Sequence, residues 1–368
     1  MIFAWVNFLE NHSYLIRKIK ISMKTLAAVL VETSQPLQIE ELQIPALKEG
    51  QVLVKIAYSG VCHSQLNEVR GRKGVDNFLP HTLGHEGAGI VQEVGPGANK
   101  VNEGDAVILT WIKGDGLDVP SATYIREGGA KVNSGAISTF MEYAVVSENR
   151  LVPVSKEFSL RELPLLGCAI PTGAGIAFNT AKIARGSSVA VFGVGGIGLS
   201  AVIGAKLREA KSIIAIDIFD HKLELARSLG ATDTVNCKKQ DVASYIDEVT
   251  HKSGLDYAIE ASGNSETMEL AFQSIRAGGG LCVLAGNLPA GKTISIDPLD
   301  LIKGKRIIGT WGGETQPDKD IPMYLDLYKT GKLELSPLIT QTYRLEEINQ
   351  ALDELEKGKL GRGLIEMV

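Results

Sequence analysis

The sequence predicts an α/β protein built from a β-rich domain and a doubly wound, parallel-sheet domain. Three observations support this prediction. At 368 residues the chain is long for a single core, since domains typically hold roughly 100–200 residues. Short apolar runs punctuated by turn residues fill the first part of the chain. Beyond about residue 170, apolar strands alternate with helical stretches, and this alternation produces parallel βαβ units with helices on both faces.

The β-rich domain is predicted over 23–169 together with 312–368. Alternating apolar and polar residues, typical of half-buried strands, mark the segments 51–57 and 89–95, and a further strand is predicted over 25–32. The tail carries a helical stretch and a last strand, at 346–357 and 364–367. We expect this tail to return to the first domain.

The doubly wound domain is predicted over 170–311. Apolar runs predict its strands at 188–192, 213–216, 234–236, 257–260, 281–285 and 307–308. Helical stretches follow the first two strands, up to about residue 210 and over 221–229. Continuous apolar strands are typical of parallel sheets that are buried on both faces.

Composition and charge exclude several classes of partner. The net charge of -5 provides no basic field for a phosphate backbone, so we expect no nucleic-acid partner. Four scattered cysteines indicate a reducing, cytoplasmic setting rather than a disulfide framework. The apolar run in residues 1–22 is broken by polar residues and is too short to span a membrane. We interpret residues 1–22 as a disordered extension and expect no membrane partner.

A glycine-rich turn follows the first strand of the doubly wound domain. The run Gly193-Val-Gly-Gly-Ile-Gly198 matches G-x-G-x-x-G and joins an apolar strand to a helix, as a dinucleotide site requires. Its first glycine permits the tight turn, the second admits a pyrophosphate and the third allows close helix packing. The helix N-terminus offers free N–H groups to phosphates. We predict coenzyme contacts at Gly193, Gly195, Gly196, Ile197 and Gly198.

An acidic residue ends the second strand of the same domain. Asp217 lies nineteen residues after Gly198. A carboxylate at this position binds the ribose hydroxyls and repels a 2′-phosphate, which predicts NAD rather than NADP as the coenzyme. We expect Lys222 to add a contact to the adenosine ribose. The alternative is an ordinary glycine turn with a surface aspartate.

Metal-ligating side chains occur in three separate segments. Cys62 and His85 lie in turns of the first domain, and Cys168 lies where the first domain meets the second. Two thiolates and one imidazole suit zinc, which can keep a fourth position open for substrate. No local spacing rule joins these segments. Two buried cysteines and a core histidine therefore remain the alternative.

Several motifs resemble the zinc-dependent medium-chain alcohol dehydrogenase family from about Met23 to the C-terminus. They are Ser59-Gly-Val-Cys-His-Ser64, Gly84-His-Glu-Gly-Ala-Gly89 and the glycine-rich turn. Leu165-Leu-Gly-Cys-Ala-Ile-Pro-Thr-Gly173 and Asn179-Thr-Ala-Lys182 are most similar to the glutathione-dependent formaldehyde and aryl-alcohol dehydrogenase branches. The resemblance implies a GroES-like catalytic domain joined to a Rossmann coenzyme domain.

The resemblance also implies roles for individual residues. It makes Cys62, His85 and Cys168 the ligands of one catalytic zinc, with Glu86 a nearby carboxylate that can exchange onto the metal. Ser64 would hydrogen-bond the substrate hydroxyl. The implied coenzyme contacts are His63 and Arg362 at the pyrophosphate and Thr172 at the nicotinamide. The implied lining of the substrate pocket is Ser64, Asn67, Trp111, Phe140 and Trp311.

The chain departs from the family in three places. Many relatives hold a structural zinc with four cysteines, but the corresponding stretch 111–139 contains none, so we expect one zinc per chain. We interpret 115–135 as a surface loop or an oligomer contact. Gln65 replaces an aspartate that orients the zinc-bound histidine, and Asn67 replaces a proton-relaying histidine. The sequence therefore does not identify the group that carries the proton beyond Ser64.

The predicted function is reversible hydride transfer between a primary alcohol/aldehyde pair and NAD, with a small-molecule substrate. A polyol or sugar dehydrogenase of the same family is an alternative, and a non-catalytic dinucleotide-binding relative is another. The family leads us to expect a homo-oligomer, dimer or tetramer, formed through an edge strand near 293–296. Each aromatic residue of the implied pocket is equally compatible with an ordinary core position. We expect Cys237 and Cys282 to be plain buried thiols, and we assign no role to His81 or His251.

Overall fold

Strands from distant parts of the chain build the sheets of the protein. The computed structural model describes residues 23–367, so the expected extension at 1–22 lies outside the described residues. In chain order the strands are β1 (Lys24–Leu30), β2 (Gln38–Gln43), β3 (Gln51–Val61), β4 (His81–Thr82), β5 (Glu86–Val94), β6 (Ala106–Thr110), β7 (Thr123–Arg126), β8 (Lys131–Asn133), β9 (Tyr143–Ser147), β10 (Leu151–Val154), β11 (Ser188–Phe192), β12 (Ser212–Asp217), β13 (Asp233–Asn236), β14 (Tyr257–Glu260), β15 (Leu281–Leu284), β16 (Arg306–Gly309), β17 (Ile339–Arg344) and β18 (Arg362–Glu366).

Helices cover the sheets and begin at several of the predicted turns. In chain order they are α1 (His63–Val69), α2 (Ala169–Gly175), α3 (Gly196–Leu207), α4 (Asp220–Leu229), α5 (Val242–Val249), α6 (Ser265–Gln273), α7 (Pro298–Ile302), α8 (Pro317–Lys329) and α9 (Ile348–Glu356). A π-helical turn, Ile176–Thr180, extends α2. Among the described residues, no helix combines the length and apolar character that crossing a membrane requires.

The β-rich part contains a closed barrel and an open sheet. The barrel has the strand order β1-β2-β7-β8-β4, and the sheet has the order β10-β6-β5-β3-β18-β17, with β9 also paired to β3. Strand β18 runs antiparallel to β3, so the end of the chain lies in the sheet of the first domain. A shared apolar core joins these strands to α9, which contributes Ile348, Leu352 and Leu355.

The second part is a parallel sheet with the order β13-β12-β11-β14-β15-β16. All five strand pairs within it are parallel, which confirms the predicted doubly wound fold. From β11 the chain adds β12 and β13 on one side of the sheet and then β14, β15 and β16 on the other side. In sheets of this kind, ligands bind at the carboxyl ends of the strands where the chain changes sides. The predicted glycine turn, which directly follows β11, lies at this place.

Two expectations about surface segments were wrong in detail. Residues 293–296 form no strand among the described residues. The strand at that edge of the sheet is β16, which in the described part of the chain pairs only with β15. The stretch 115–135 is not simply a loop, because it contributes β7 and β8 to the barrel. A regular sheet there satisfies the backbone hydrogen-bonding groups that a loop would leave to water.

A buried carboxylate anchors the stretch that precedes β7. Glu148 is 1% exposed and accepts hydrogen bonds from the backbone N–H groups of Asn99, Lys100 and Leu117, at 2.8, 3.1 and 2.8 Å. Burial by itself would raise the pKa of Glu148, but these donors outweigh burial and lower it. One side chain thus ties residues 99–100, which precede β6, to Leu117 in the segment before β7.

Candidate active site

Three predicted metal ligands, 106 residues apart at the extremes (168 minus 62), meet in space. Cys62 directly precedes α1, His85 directly precedes β5 and Cys168 directly precedes α2. Their ligand atoms all lie within 4.8 Å of one another. Both sulfur atoms belong to buried residues, and His85 Nε2 lies 3.1 Å from Cys168 Sγ. The folded chain therefore brings two sulfur atoms and one imidazole nitrogen into one small group.

The two thiols of this group affect each other's ionisation. The Cys168 thiol can donate to Cys62, which holds the pKa of Cys62 well below its ordinary value despite burial. The pKa of Cys168 is raised well above its ordinary value by the same partner and by burial. A thiolate is the form that binds zinc, and zinc binding displaces thiol protons, so two adjacent thiols fit a zinc site.

Gln65 holds the imidazole of His85 from the side away from the sulfur atoms. Its amide nitrogen contacts Nδ1 of His85, while its Oε1 has no hydrogen-bond partner among the described residues. A metal on Nε2 of His85 would leave the ring hydrogen on Nδ1, which then needs an acceptor. Turning the amide by 180° places Oε1 there. Gln65 thus orients His85 through a neutral acceptor.

A buried ion pair lies beside the metal-ligand group. Glu86 and Arg362 are 0% and 2% exposed, and Arg362 Nη2 stands 3.0 and 3.1 Å from the two carboxylate oxygens of Glu86. Burial raises the pKa of Glu86, and Arg362 opposes that shift. Arg362 Nη1 also donates to the carbonyl of Val61, at 3.3 Å. The resemblance places Arg362 at a pyrophosphate, and the structure shows it bound to Glu86.

Ser64 occupies the first turn of α1, two residues after Cys62. Its Oγ accepts a hydrogen bond from Lys73 Nζ at 3.1 Å. Asn67, one turn further along α1, accepts from Arg72 Nη1 at 3.4 Å. Sequence reasoning missed Lys73, which lies in the segment after α1 and carries no motif. The only signal for it was its positive charge near Ser64 in the chain.

The glycine-rich turn has the backbone geometry that its predicted role requires. Gly193 has φ +82°, and a Cβ there would lie 2.8 Å from Ser262. A Cβ on Gly198 would lie 1.9 Å from the carbonyl oxygen of Gly193. Around Gly195 no heavy atom lies within 4 Å of that position, which leaves open space before the N-terminus of α3. Ile197 lies half-buried in the first turn of that helix.

Gly196 connects this turn to the ion pair of the first domain. A Cβ at Gly196 would lie 3.0 Å from Arg362 Nη1. A side chain there would therefore displace the guanidinium group. Arg362 therefore contacts both the glycine-rich turn and Glu86, which lies beside the metal-ligand group.

Asp217 and Lys222 lie next to the glycine-rich turn, where the adenosine half of a dinucleotide is expected. Asp217 Oδ2 accepts from the Val194 N–H at 2.9 Å, and Oδ1 accepts from the N–H groups of Ile218 and Phe219 at 2.7 and 3.0 Å. Three hydrogen bonds use three of the four lone-pair sites of the carboxylate, so Oδ2 keeps one for a further donor. Burial lowers the pKa of Lys222, and the Asp217 charge opposes this shift.

His63 is the first residue of α1, and Thr172 lies in α2, four residues after Cys168. Surrounding protein lowers the pKa of His63, although its side chain is exposed, and the cations Lys222 and Arg362 lower it further. Thr172 is 7% exposed, and its Oγ1 has no hydrogen-bond partner among the described residues. Buried hydroxyls normally have a partner, so this atom is free to bind a ligand.

The structure brings together two of the three aromatic residues expected around a substrate. Trp111 and Trp311 meet edge to face, with ring centroids 5.0 Å apart, and Trp111 approaches His85 with centroids 6.4 Å apart. Trp311 is 78% exposed and forms the outer part of this wall. Phe140 was placed wrongly, because it is fully buried in the core of the β-rich domain and has no surface to offer.

The two remaining cysteines differ from each other. Cys282 is fully buried in β15, as predicted, and burial raises its pKa to about 12. Cys237 was expected to be buried and is exposed, because β13 ends at Asn236 and Cys237 lies in the following turn. It borders an open cavity of about 480 Å³ that is also lined by Lys238, Asp241 and Leu270.

Comparisons with known proteins agree with these features. Residues 48–156 match the alcohol dehydrogenase GroES-like domain, and residues 196–330 match the zinc-binding dehydrogenase domain. The chain is 38% identical to an S-(hydroxymethyl)glutathione dehydrogenase of Synechocystis sp. over 93% of this chain and 100% of that protein.

Two solved structures are similar to the chain along nearly its whole length. An alcohol dehydrogenase zinc-binding domain protein from Burkholderia ambifaria has a TM-score of 0.87 and 32% identity, covering 94% of this chain and 99% of that one. A benzyl alcohol dehydrogenase from Acinetobacter calcoaceticus has a TM-score of 0.85 and 32% identity, covering 94% and 100%.

Proposed function

Because the chain belongs to the zinc-dependent medium-chain alcohol dehydrogenase family, we propose that it transfers hydride reversibly between a primary alcohol/aldehyde pair and NAD. The chain is an alcohol oxidoreductase of a family that uses zinc and a nicotinamide coenzyme. The choice of NAD, the alcohol class and the residue roles are our proposal.

One observation carries the proposal. The ligand atoms of Cys62, His85 and Cys168 converge within 4.8 Å although they come from three separate segments. A dinucleotide-binding protein without metal chemistry has no need for such a group. Two sulfur atoms and one nitrogen are a ligand set that catalytic zinc sites use while keeping a position for substrate. The group therefore favours an enzyme over a non-catalytic relative.

The bound metal and coenzyme would supply Lewis acidity at the alcohol oxygen and a hydride acceptor, respectively. The protein supplies position and charge. Cys62, His85 and Cys168 would hold zinc, and Gln65 would keep His85 in the tautomer that leaves Nε2 free. Ser64 would hydrogen-bond the reacting oxygen and exchange its proton.

The coenzyme is proposed to lie across the glycine-rich turn. Gly195 leaves room for a pyrophosphate, and the N-terminus of α3 faces that room. His63 and Arg362 would approach the phosphates, and the free hydroxyl of Thr172 would bind near the nicotinamide. Asp217 would bind the adenosine ribose, and its negative charge supports NAD rather than NADP.

The substrate is proposed to be a planar or thiol-linked primary alcohol. The Trp111–Trp311 pair near His85 offers aromatic surface for a planar group. Benzyl alcohol and S-(hydroxymethyl)glutathione, which name the two kinds of relative, are the first compounds to test.

A homo-oligomer in the cytoplasm completes the proposal. Leu299, Leu301 and Ile302 of α7 are 49%, 45% and 79% exposed beside β16, the edge strand of the parallel sheet. Apolar surface next to a strand edge is typical of a subunit contact. The four cysteines are free, which suits a reducing compartment.

Metal analysis combined with a substrate panel tests the proposed function. We expect about one zinc per chain and NAD-dependent oxidation of at least one primary alcohol in the panel. Cys168→Ser should lose zinc and activity together, because serine is a poor zinc ligand at neutral pH. Cys282→Ala is the matched control, since Cys282 is buried in β15, and should keep both.

A Cys168→Ser variant that retained zinc and full activity would contradict the ligand assignment. A zinc-loaded wild type that oxidised polyols and no simple primary alcohol would contradict the substrate class. Equal use of NAD and NADP would contradict the role of Asp217.

A further inference from the structure

A row of polar side chains leads from Ser64 toward solvent. Ser64 Oγ lies 3.1 Å from Lys73 Nζ, and the same Nζ lies 2.7 Å from Glu68 Oε2. Ser64 and Glu68 both belong to α1, four residues apart, and Lys73 folds back onto that helix. Lys73 therefore links the hydroxyl beside the metal ligands to a carboxylate on the same helix.

Glu68 in turn lies close to a buried histidine. Glu68 Oε1 lies 3.7 Å from His81 Nε2, and the same nitrogen lies 2.8 Å from Asp76 Oδ2. His81 Nδ1 also contacts the carbonyl of Thr82 at 3.1 Å. The side chains of His81 and Asp76 are only 7% and 12% exposed, whereas that of Lys73 is 46% exposed. His81 and Asp76 thus lie on the buried side of Glu68, whereas Lys73 reaches water.

The chemistry of lysine decides what this contact does to Ser64. An ammonium group only donates hydrogen bonds, so Ser64 Oγ must accept from a charged Lys73. The hydroxyl hydrogen of Ser64 is then free to point at a reacting oxygen. An uncharged lysine amine has a lone pair and can instead take the hydroxyl hydrogen of Ser64. Lys73 can therefore act as the donor or as the acceptor of a proton.

We propose that Lys73 exchanges protons between Ser64 and solvent, and so fills the place that Asn67 cannot fill. This inference rests on the proposed dehydrogenase function. Lys73 acts through Ser64 and is a positioning residue. Glu68 holds Lys73 in reach of Ser64, and the His81–Asp76 pair faces Glu68 from the other side.

The proton balance is complete in both directions. In alcohol oxidation the substrate O–H bond breaks as an O–H bond to Ser64 Oγ forms, and the former hydroxyl hydrogen of Ser64 passes to the Lys73 amine. The C–H electron pair leaves as hydride to the oxidised coenzyme, and the Lys73 ammonium releases its proton to water. In aldehyde reduction every transfer runs in reverse. Oxidation therefore needs an uncharged Lys73, and reduction needs the ammonium.

Several charged or titratable side chains surround Lys73. Glu68 on α1, Asp76 in the following segment and His81 at β4 face it. The neighbouring Arg72 is paired with Glu356 on α9 and so is already neutralised.

A purely structural role would give Lys73 little importance. Exposed ion pairs contribute little to stability. Removing the Lys73–Glu68 pair therefore leaves the fold intact, and a large effect on turnover would have to come through Ser64.

Three variants of the zinc-loaded enzyme test the proposal. NADH formation in a single turnover is measured against pH for Lys73→Ala, Lys73→Arg and Lys329→Ala. The control, Lys329, forms an exposed pair with Glu157 at 2.9 Å, far from the site in sequence. We expect Lys73→Ala to lower alcohol oxidation about 10²-fold, the lower end of what positioned proton transfer contributes, with an unchanged KM.

The pH profile and rescue separate proton exchange from charge. Wild-type oxidation should rise with pH through a limb that Lys73→Ala lacks, and added ethylamine should restore part of the rate. Arginine keeps the charge but does not deprotonate in proteins, so Lys73→Arg should not restore oxidation. Lys329→Ala should match the wild type.

Each contrary result has one meaning. Full recovery in Lys73→Arg would show that only the charge matters, and an unchanged rate and pH limb in Lys73→Ala would show that Lys73 plays no part. Either result overturns the proton exchange while leaving the dehydrogenase function standing. A zinc-loaded wild type without any dehydrogenase activity would overturn both.

Discussion

Two fully buried glutamates in the same β-rich domain have opposite surroundings. Glu148 accepts three backbone hydrogen bonds, and its pKa is lowered. Glu86 has the Arg362 guanidinium beside it, and its pKa is raised by burial. Glu148 directly follows β9 and anchors the segment before β7, whereas Glu86 lies beside the metal-ligand group.

The difference lies in which groups surround each carboxylate. Around Glu148 the fold supplies the donors that the carboxylate needs. In α2, which begins directly after Cys168, Thr172 Oγ1 has no partner among the described residues. Buried polar atoms rarely stay unpaired in native proteins. The unpaired Thr172 hydroxyl thus indicates a place for a ligand, whereas the three donors to Glu148 indicate structural support.

The largest expected effect is on the Glu86–Arg362 pair. Glu86→Gln removes the negative charge and leaves the Arg362 guanidinium buried without a counter-ion. Breaking a buried pair in this way costs about 3–5 kcal/mol. Urea unfolding should show a loss of this size, with zinc content measured on the same sample. A loss below about 1 kcal/mol would mean that the pair is solvated in solution.

A smaller effect is expected at Glu148. Glu148→Gln keeps an oxygen acceptor and loses the charge, so the free energy of unfolding should fall by about 1–3 kcal/mol at neutral pH. Glu157→Gln, an exposed control, should leave stability unchanged.

The pH dependence of this effect has a definite sign. The pKa of Glu148 is lower in the folded state, so the ionised group stabilises the fold above its unfolded pKa of about 4.3. That stabilisation is lost as pH falls through the folded pKa. The difference between wild type and Glu148→Gln should therefore shrink in acid. A difference that grew on acidification would contradict this account.

The smallest effect separates ligand binding from stability. Thr172→Val removes a hydroxyl that has no partner, so unfolding should be unchanged, while the Kd for NAD should rise about 2- to 10-fold. The matched change Thr139→Val removes bonds to Ser59 Oγ and to the Glu86 carbonyl, at 2.6 and 3.2 Å. It should destabilise the fold by about 1–3 kcal/mol. Equal loss of stability in both variants would remove the distinction.

The sequence alone was sufficient where the signal is local. Strand β11, the glycine turn, α3 and Asp217 follow one another in the chain, so their joint meaning is visible without the fold. The predicted β11 and β14 match the observed bounds, because continuous apolar runs between turns leave little choice.

The metal-ligand group is different, because no spacing rule joins Cys62, His85 and Cys168. The resemblance to a family supplied that expectation, and only the fold shows the convergence. Lys73 was missed because its contact with Ser64 depends on how the segment after α1 folds back. Phe140 was misplaced because the resemblance gives a residue's position in the chain but not the direction of its side chain, which here packs in the core.

The most direct test of the central claim is X-ray absorption at the zinc edge of the purified protein. The account predicts a shell with two sulfur atoms at about 2.3 Å and one histidine nitrogen at about 2.0–2.1 Å, beside a lighter fourth ligand. A shell made only of oxygen and nitrogen would mean that Cys62 and Cys168 do not hold the metal, and the proposed active site would be wrong.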